Sequence, residues 1–220
     1  MSRLWPRSLE IGFFPDGLTV DGVVLPGAPL ERLQLLPAGP KLRVVLSSHY
    51  VRYAVLPWSA ALRTEEEWRA YAQHHFVSTY GAAAHDWTVR LCSTGPRKPQ
   101  VACSTDRGLL ESLRKIPRVI SVQPALSAAF NPRRKAFAKE SGWFVIQEPL
   151  RLTIGLIADA SWKFIRTRQT PGDWREALPD LLDRETAASG EEFCARVVLK
   201  SHDAPPTRLE RYFIASAPAS

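Results

Sequence analysis

Apolar residues along this chain fall into short runs separated by turn residues, with three longer stretches that repeat at helical spacing. The run Leu42-Arg43-Val44-Val45-Leu46-Ser47-Ser48 shows little alternation, the pattern of a strand covered on both faces. Tyr50 to Leu56 reads as a second extended run, ended by Pro57-Trp58. Thr64 stands three residues before Glu67 and forms a capping box with it. Trp68, Tyr71, Ala72, His75, Phe76 and Tyr80 then recur at helical spacing, and Gly81 is a natural stop. This predicts a helix over Glu65–Tyr80, its stripe packed on the sheet that holds Leu42–Leu46.

The flanking pattern is read in the same way. Leu9–Phe14, the turn residues Pro15-Asp16-Gly17 and a returning run over Leu18–Leu25 predict a hairpin. Pro26 to Pro40 reads as a loop with a short third strand at Leu33–Leu36. Beyond Gly81, strands are predicted at Trp87–Leu91, Val101–Cys103 and Val119–Val122. Between the last two, Ser104 to Asp106 cap a helix carrying Leu109, Leu110, Leu113 and Ile116. Pro124 to Asn131 reads as a short helix, and Asn131-Pro132-Arg133-Arg134-Lys135 as a surface linker. From Gly142 the grammar changes. Trp143–Glu148, Arg151–Ile157 and Trp162–Arg166, joined by short turns, predict a three-stranded antiparallel meander. A helix follows from Asp173, with Pro179 bending or interrupting it, then a strand over Phe193–Leu199 and a loosely held tail. Both halves thus share one order, antiparallel hairpin strands first, then helix and strand. The class is α/β, and the domain reading is a first lobe over residues 1–136 and a second, reduced lobe over 137–220.

Composition narrows this picture without naming a function. A chain of 220 residues can bury a core without a metal or disulfide staple, and 18 prolines favour turns over long helices. The net charge of +7 is scattered and reads as a basic solvated surface; its densest cluster is Arg133, Arg134 and Lys135 with Lys139. Cys92, Cys103 and Cys194 have neither metal-ligand nor CxxC spacing and read as buried, reduced and inert, which suits the cytoplasm. No stretch approaches the roughly 20 apolar residues of a membrane helix, and Met1–Pro6 has no signal-peptide core.

The residues that carry chemistry are few. His74 and His75 point about 100° apart on a helix and cannot share a metal as an i, i+4 pair would. His85-Asp86 lacks a nucleophile in a recognisable elbow. There is no P-loop and no GxGxxG. The nearest phosphate-binding candidates are Glu10 and Gly12, before a turn where Phe13, Phe14 and Pro15 are bulky; the meander turn Pro149-Leu150 has neither glycine nor acid. Nucleotide binding is disfavoured on these grounds. A metal-dependent nuclease would draw on Glu10, Asp16, Asp21, Glu148 and Asp159, mostly turn residues. Arg133, Arg134 and Lys135 beside Trp143 are the candidate partner-binding residues, with edge addition of a peptide to a meander strand as one mode and nucleic acid disfavoured.

The run Arg43-Val44-Val45-Leu46-Ser47, then Val51–Leu56 with Pro57-Trp58, then a Glu-rich helix start, resembles the actin-like cytoplasmic domain of the type II secretion L protein and the PilM-type proteins of type IV and MSHA pilus assembly. Gln123-Pro124-Ala125-Leu126 and Gly142-Trp143-Phe144-Val145-Ile146 fit the same layout, so the likeness spans most of residues 9–200. The resemblance implies a two-lobed actin-like, ribonuclease-H-like fold. It also implies a cytoplasmic scaffold, peripheral to the inner membrane, that binds inner-membrane assembly proteins and communicates with an assembly ATPase. The departures at Phe13-Phe14-Pro15 and Pro149-Leu150 point to a scaffold without ATP rather than to a nucleotide-binding or hydrolysing enzyme of the same fold.

Overall fold

The computed structural model describes residues 8–92, 95, 97–135, 137, 141–190, 196–201 and 210–213; Lys139, Cys194 and His202 lie outside them. The chain divides into two compact units. The first holds the chain up to Arg52 with Ala61–Leu91 and Ala102–Ala128, and the second holds Tyr53–Ala60, Cys92–Val101 and the chain from Ala129 onward.

The first sheet grows from β1 (Ser8–Phe14), which turns at Pro15-Asp16 into β2 (Gly17–Val20). The run over Leu18–Leu25 is not one strand. Asp21 and Gly22 take positive φ angles of 49° and 83°, the signature of a tight hairpin turn, and fold the chain back into β3 (Val23–Pro26). Gly17 is required by this second hairpin, because a Cβ there would stand 2.3 Å from the Leu25 carbonyl oxygen. The expected strand at Leu33–Leu36 is instead a helix, α1 (Pro29–Leu35). Proline is tolerated in its first turn, Leu33 is buried, and the Arg32 Nε donates to the Pro26 carbonyl at 2.7 Å.

β4 (Lys41–Leu46) lies parallel to β1, with Ile11 opposite Val44 and Phe13 opposite Leu46. The final strand of this sheet, β8 (Val119–Pro124), runs parallel to β4 on its far side, giving the order β3-β2-β1-β4-β8. The expectation of a strand covered on both faces fails here. Leu42, Val44 and Leu46 are buried while Lys41 and Arg43 are exposed, so β4 alternates and the sheet buries one face.

Between β4 and β8 the chain inserts β5 (Arg52–Leu56), α2 (Glu65–Tyr80), β6 (Trp87–Cys92), β7 (Gln100–Asp106) and α3 (Arg107–Arg114). The strands form a sheet of order β5-β7-β6. The capping box forms as expected: the Glu67 N–H donates to Thr64 Oγ1 at 3.1 Å, and Glu67 Oε2 accepts from the Thr64 N–H at 2.8 Å. Gly81 closes the helix at φ 76°. The stripe is narrower than its spacing suggests. Ala72 and Phe76 are buried, but Tyr71 and Tyr80 are 38% and 43% exposed. Ring contacts of Phe76 and Tyr80 with Trp87, at 6.4 and 5.3 Å, tie the helix to β6. Cys92 is exposed and Cys103 half-buried, which corrects the reading of both as buried.

The second sheet is the expected meander of β9 (Gly142–Glu148), β10 (Arg151–Ala158) and β11 (Ser161–Gln169). α5 (Trp174–Ser189) follows α4 (Ala125–Phe130) in the helix count and starts at the Asp173 cap, whose carboxylate accepts from the Arg175 N–H at 2.9 Å. The helix continues through Pro179, with Leu178, Leu182 and Glu185 buried beyond the first turn. β12 (Arg196–Ser201) runs parallel to β9, and β13 (Glu210–Phe213) pairs antiparallel with β12, so part of the expected loose tail is a strand. The order β11-β10-β9-β12-β13 repeats the plan of the first sheet, with the last strand reversed. Among the described residues the second half shows no counterpart to the elements inserted between β4 and β8.

Both faces of the second sheet are covered. Trp143, Val145, Leu152, Ile154, Leu156, Val197 and Leu199 pack with Trp174, Leu178 and Leu182 of α5. On the other face Phe130 contacts Phe144 and Trp162 at 5.4 and 4.7 Å. Gly155 makes room for the Trp162 ring, which a Cβ would meet at 2.3 Å. Glu185, 5% exposed, accepts from Arg166 Nε at 2.8 Å and from Arg168 Nε at 2.9 Å, joining α5 to the outer strand β11.

Candidate functional site

A phosphate cradle at a hairpin turn needs bare backbone N–H groups, which is why such turns favour glycine. The two hairpins that open the two sheets meet this need poorly. Each closes with a two-residue turn that begins with proline, Pro15-Asp16 and Pro149-Leu150, and proline has no N–H to offer. Leu150 holds a left-handed φ of 57° and leaves its side chain 68% exposed. Gly12 lies under the Phe14 ring, whose Cε2 would stand 2.7 Å from a Cβ at that position. Phe13 is buried against Tyr50, ring centroids 5.3 Å apart. Burial, and secondarily the Asp16 carboxylate, push the Tyr50 hydroxyl above the ordinary tyrosine range. Glu10 is exposed on the open face of β1, opposite Arg43 in register.

Of the candidate partner-binding residues, Arg133 is half-buried in a single 3₁₀ turn, and Arg134 and Lys135 are exposed just after it. Trp143 is a correction. Its side chain is wholly buried and its ring packs on Phe164 at 5.5 Å, so it faces the core and not a partner. Its Nε1 has no hydrogen-bond partner among the described residues. The acids weighed for a nuclease do not gather: Asp16, Asp21 and Asp159 sit in separate turns, Asp159 paired with Lys163 at 3.1 Å. No metal-binding group of His, Cys, Asp and Glu exists among the described residues.

A groove of about 200 Å³ runs along β8 in the first unit. Every residue from Val119 to Pro124 lines it. A strand face shows only alternate residues, so six consecutive lining residues mean that β8 turns its edge to the groove. Among the described residues that edge has no strand partner, because β8 ends its sheet. Thr88 and Arg90 reach the groove from one face of β6, Ser104 and Thr105 from β7, and Leu110 and Arg114, one helical turn apart, from α3. α3 is fixed at its start by Asp106 Oδ1, which accepts from the Leu109 N–H at 2.7 Å. Thr105 Oγ1 donates to the Tyr50 carbonyl at 2.7 Å and locks the end of β7. Arg118, just ahead of β8, donates to the carbonyls of Leu36 and Pro37 at 3.0 and 2.6 Å and holds the strand's entry.

Two features of this groove bear on chemistry. Ser104 is 1% exposed, yet its hydroxyl has no partner among the described residues. Arg90 and Arg114 are exposed and form no ion pair among the described residues. The sequence pattern held part of this signal, since the alternation of Trp87–Leu91 puts Thr88 and Arg90 on one face. It held no sign that β8 would end a sheet, and the groove was missed.

No protein-family model and no curated protein matches this chain. Among solved structures it is similar to a protein of Bacteroides thetaiotaomicron described as having an actin-like ATPase fold and unknown function. The TM-score is 0.57 at 10% identity, over 88% of this chain and 80% of that one. It is also similar to the cytoplasmic domain of EpsL, an inner-membrane component of the type II secretion system of Vibrio cholerae, with a TM-score of 0.49 at 13% identity over 76% of each chain. A PilM–PilN type IV pilus biogenesis complex gives a TM-score of 0.47 at 16% identity, over 82% of this chain and 63% of that one. The chain therefore has the actin-like ATPase fold, as its element order and motifs led us to expect.

Proposed function

We propose that this protein is a non-enzymatic cytoplasmic scaffold of a type IV pilus or type II secretion assembly platform. Its lobes, residues 1–136 and 137–220, sit at the inner membrane through partners, an inner-membrane assembly protein and an assembly ATPase. The observation that carries this reading is the groove along β8, where a sheet edge without strand partners among the described residues opens onto an apolar trough. Such an edge accepts an extended segment of another protein by strand addition. The sequence resemblance to the secretion L protein and PilM-type proteins supports the identity of the machine. Among the described residues no helix is long and apolar enough to cross a membrane, which fits attachment through partners.

Absence of catalysis is part of the same proposal. The prolines of both hairpin turns and the Phe14 ring over Gly12 support a fold that has given up nucleotide. Arg133, Arg134 and Lys135 are proposed as a secondary, electrostatic partner contact, and Glu10 and Gly12 as having no cofactor role.

The test is a bacterial two-hybrid screen against the pilus and secretion assembly proteins encoded beside this gene, run with the wild-type chain and with Ile120→Asp. Ile120 is 49% exposed on β8, so the variant keeps the core intact. A positive pair lost in Ile120→Asp is the expected result; clean failure with every neighbour-encoded protein overturns the reading. Calorimetry with magnesium and ATP is expected to show no heat of binding, and micromolar affinity would overturn the non-enzymatic part.

A further inference from the structure

An edge strand and an apolar trough accept many extended peptides; the polar groups around them decide which. Among the described residues the β8 groove carries cations without counter-charges: Arg90 projects from β6 and Arg114 from α3, and none of its described lining residues is a carboxylate. Beside them the Ser104 hydroxyl is buried with no partner among the described residues, which costs on the order of 1–3 kcal/mol unless something fills it. Thr88 and Ser121 add hydroxyls to the lining, while Leu46, Leu110, Val119 and Val122 supply the apolar part.

From this arrangement we infer that the groove selects an extended, acidic–apolar peptide segment: alternate apolar side chains enter the trough, and an Asp or Glu is held by Arg90 and Arg114. The inference rests on the proposed docking role of β8 and names the chemistry of its ligand. An extended chain suits the site because period-two alternation sends one set of side chains inward and aims the other at the rim. A carboxylate suits it because arginine guanidinium groups bind that shape with paired hydrogen bonds. Ser104 takes a backbone or carboxylate hydrogen bond from the same segment, as acceptor or donor.

The experiment uses the full chain as bait for a displayed library of random dodecapeptides. Enriched sequences are then made as fluorescein-labelled peptides and titrated by anisotropy. We expect enrichment of Asp or Glu between apolar residues. Arg90→Glu with Arg114→Glu should weaken the selected acidic peptide roughly tenfold or more, the scale for losing a charged pair in an interface, and the same peptide with Lys in place of its acids should regain affinity for that variant. Ser104→Ala, which removes a buried hydroxyl with no partner among the described residues, should weaken the acidic peptide without lowering the melting temperature. Enrichment of neutral apolar peptides that lose binding on Ile120→Asp but ignore Arg90 and Arg114 would overturn the charge selection and leave the docking role standing. Failure to enrich any peptide would overturn both. Competition at Arg90 and Arg114 by an oligo-dT strand or by inorganic phosphate as strongly as by the acidic peptide would overturn the peptide assignment in favour of a general anion site.

Discussion

The two five-stranded sheets share a plan and differ in how they are covered. Each begins with a three-stranded antiparallel meander and adds, after a helix, a strand parallel to the first. In the second sheet β9 is buried along its whole length and β10 nearly so, because α5 covers one face and the Phe130–Phe137 region the other. In the first sheet β1 and β4 alternate, with Glu10 and Arg43 opposite each other in register on an open face. One topology thus serves as a sealed core in one half and, in the other, as a half-open platform whose outer strand faces a groove.

Substitutions on the second face of each sheet probe this difference most strongly. Phe144→Ala in β9 should cost about 3–5 kcal/mol, the range for removing a buried aromatic ring. Glu10→Ala on the open face of β1 should stay within about 0.5 kcal/mol. Urea denaturation of both variants checks it, and equal losses would break the comparison.

Paired glycine substitutions sharpen it. Gly155→Ala should cost about 1–3 kcal/mol, because the Trp162 ring it would strike is wedged between Phe130 and Phe144. Gly12→Ala meets the half-buried Phe14 ring at a turn, where the ring can swing, and should cost less than about 1 kcal/mol. Thermal melts followed by tryptophan fluorescence separate the two, and a larger loss at Gly12 would show that Phe14 is locked.

The capping box of α2 gives smaller effects. Thr64→Ala should lose about 1 kcal/mol in chemical denaturation. Hydrogen bonds from the Thr64 and then the Arg63 backbone hold the Glu67 carboxyl below the usual carboxylate range. A lowered folded-state value means the stabilisation is present above the unfolded-state range near pH 4.3 and fades as pH falls through the lower folded value. Glu67→Gln should flatten this acid limb slightly in a pH series of melts, and an unchanged slope would remove Glu67 from the account.

Much of the fold was legible because local signals were strong. Thr64, Glu67 and Gly81 mark α2 by capping chemistry that acts over three or four residues, and the meander from Gly142 is marked by its short turns. Misreadings arose where the deciding contact was distant. Asp21-Gly22 splits a run that looked like one strand, a turn signal overridden by the apolar residues around it. The segment at Leu33–Leu36 became helical through its proline start and the burial of Leu33. Trp143 looked partner-facing beside basic residues, and only the packing of α5 shows it to be core.

Local sequence therefore determined the caps, the turns, the meander and the bulky, proline-bearing hairpins. Those depend on backbone chemistry within a few residues. Tertiary structure alone decided which strand ends the sheet, which face stays open, and that Arg90, Ser104 and Arg114 meet along β8. β8 reaches its place by parallel pairing with β4, a strand far away in sequence, and no local pattern encodes the partner a strand lacks.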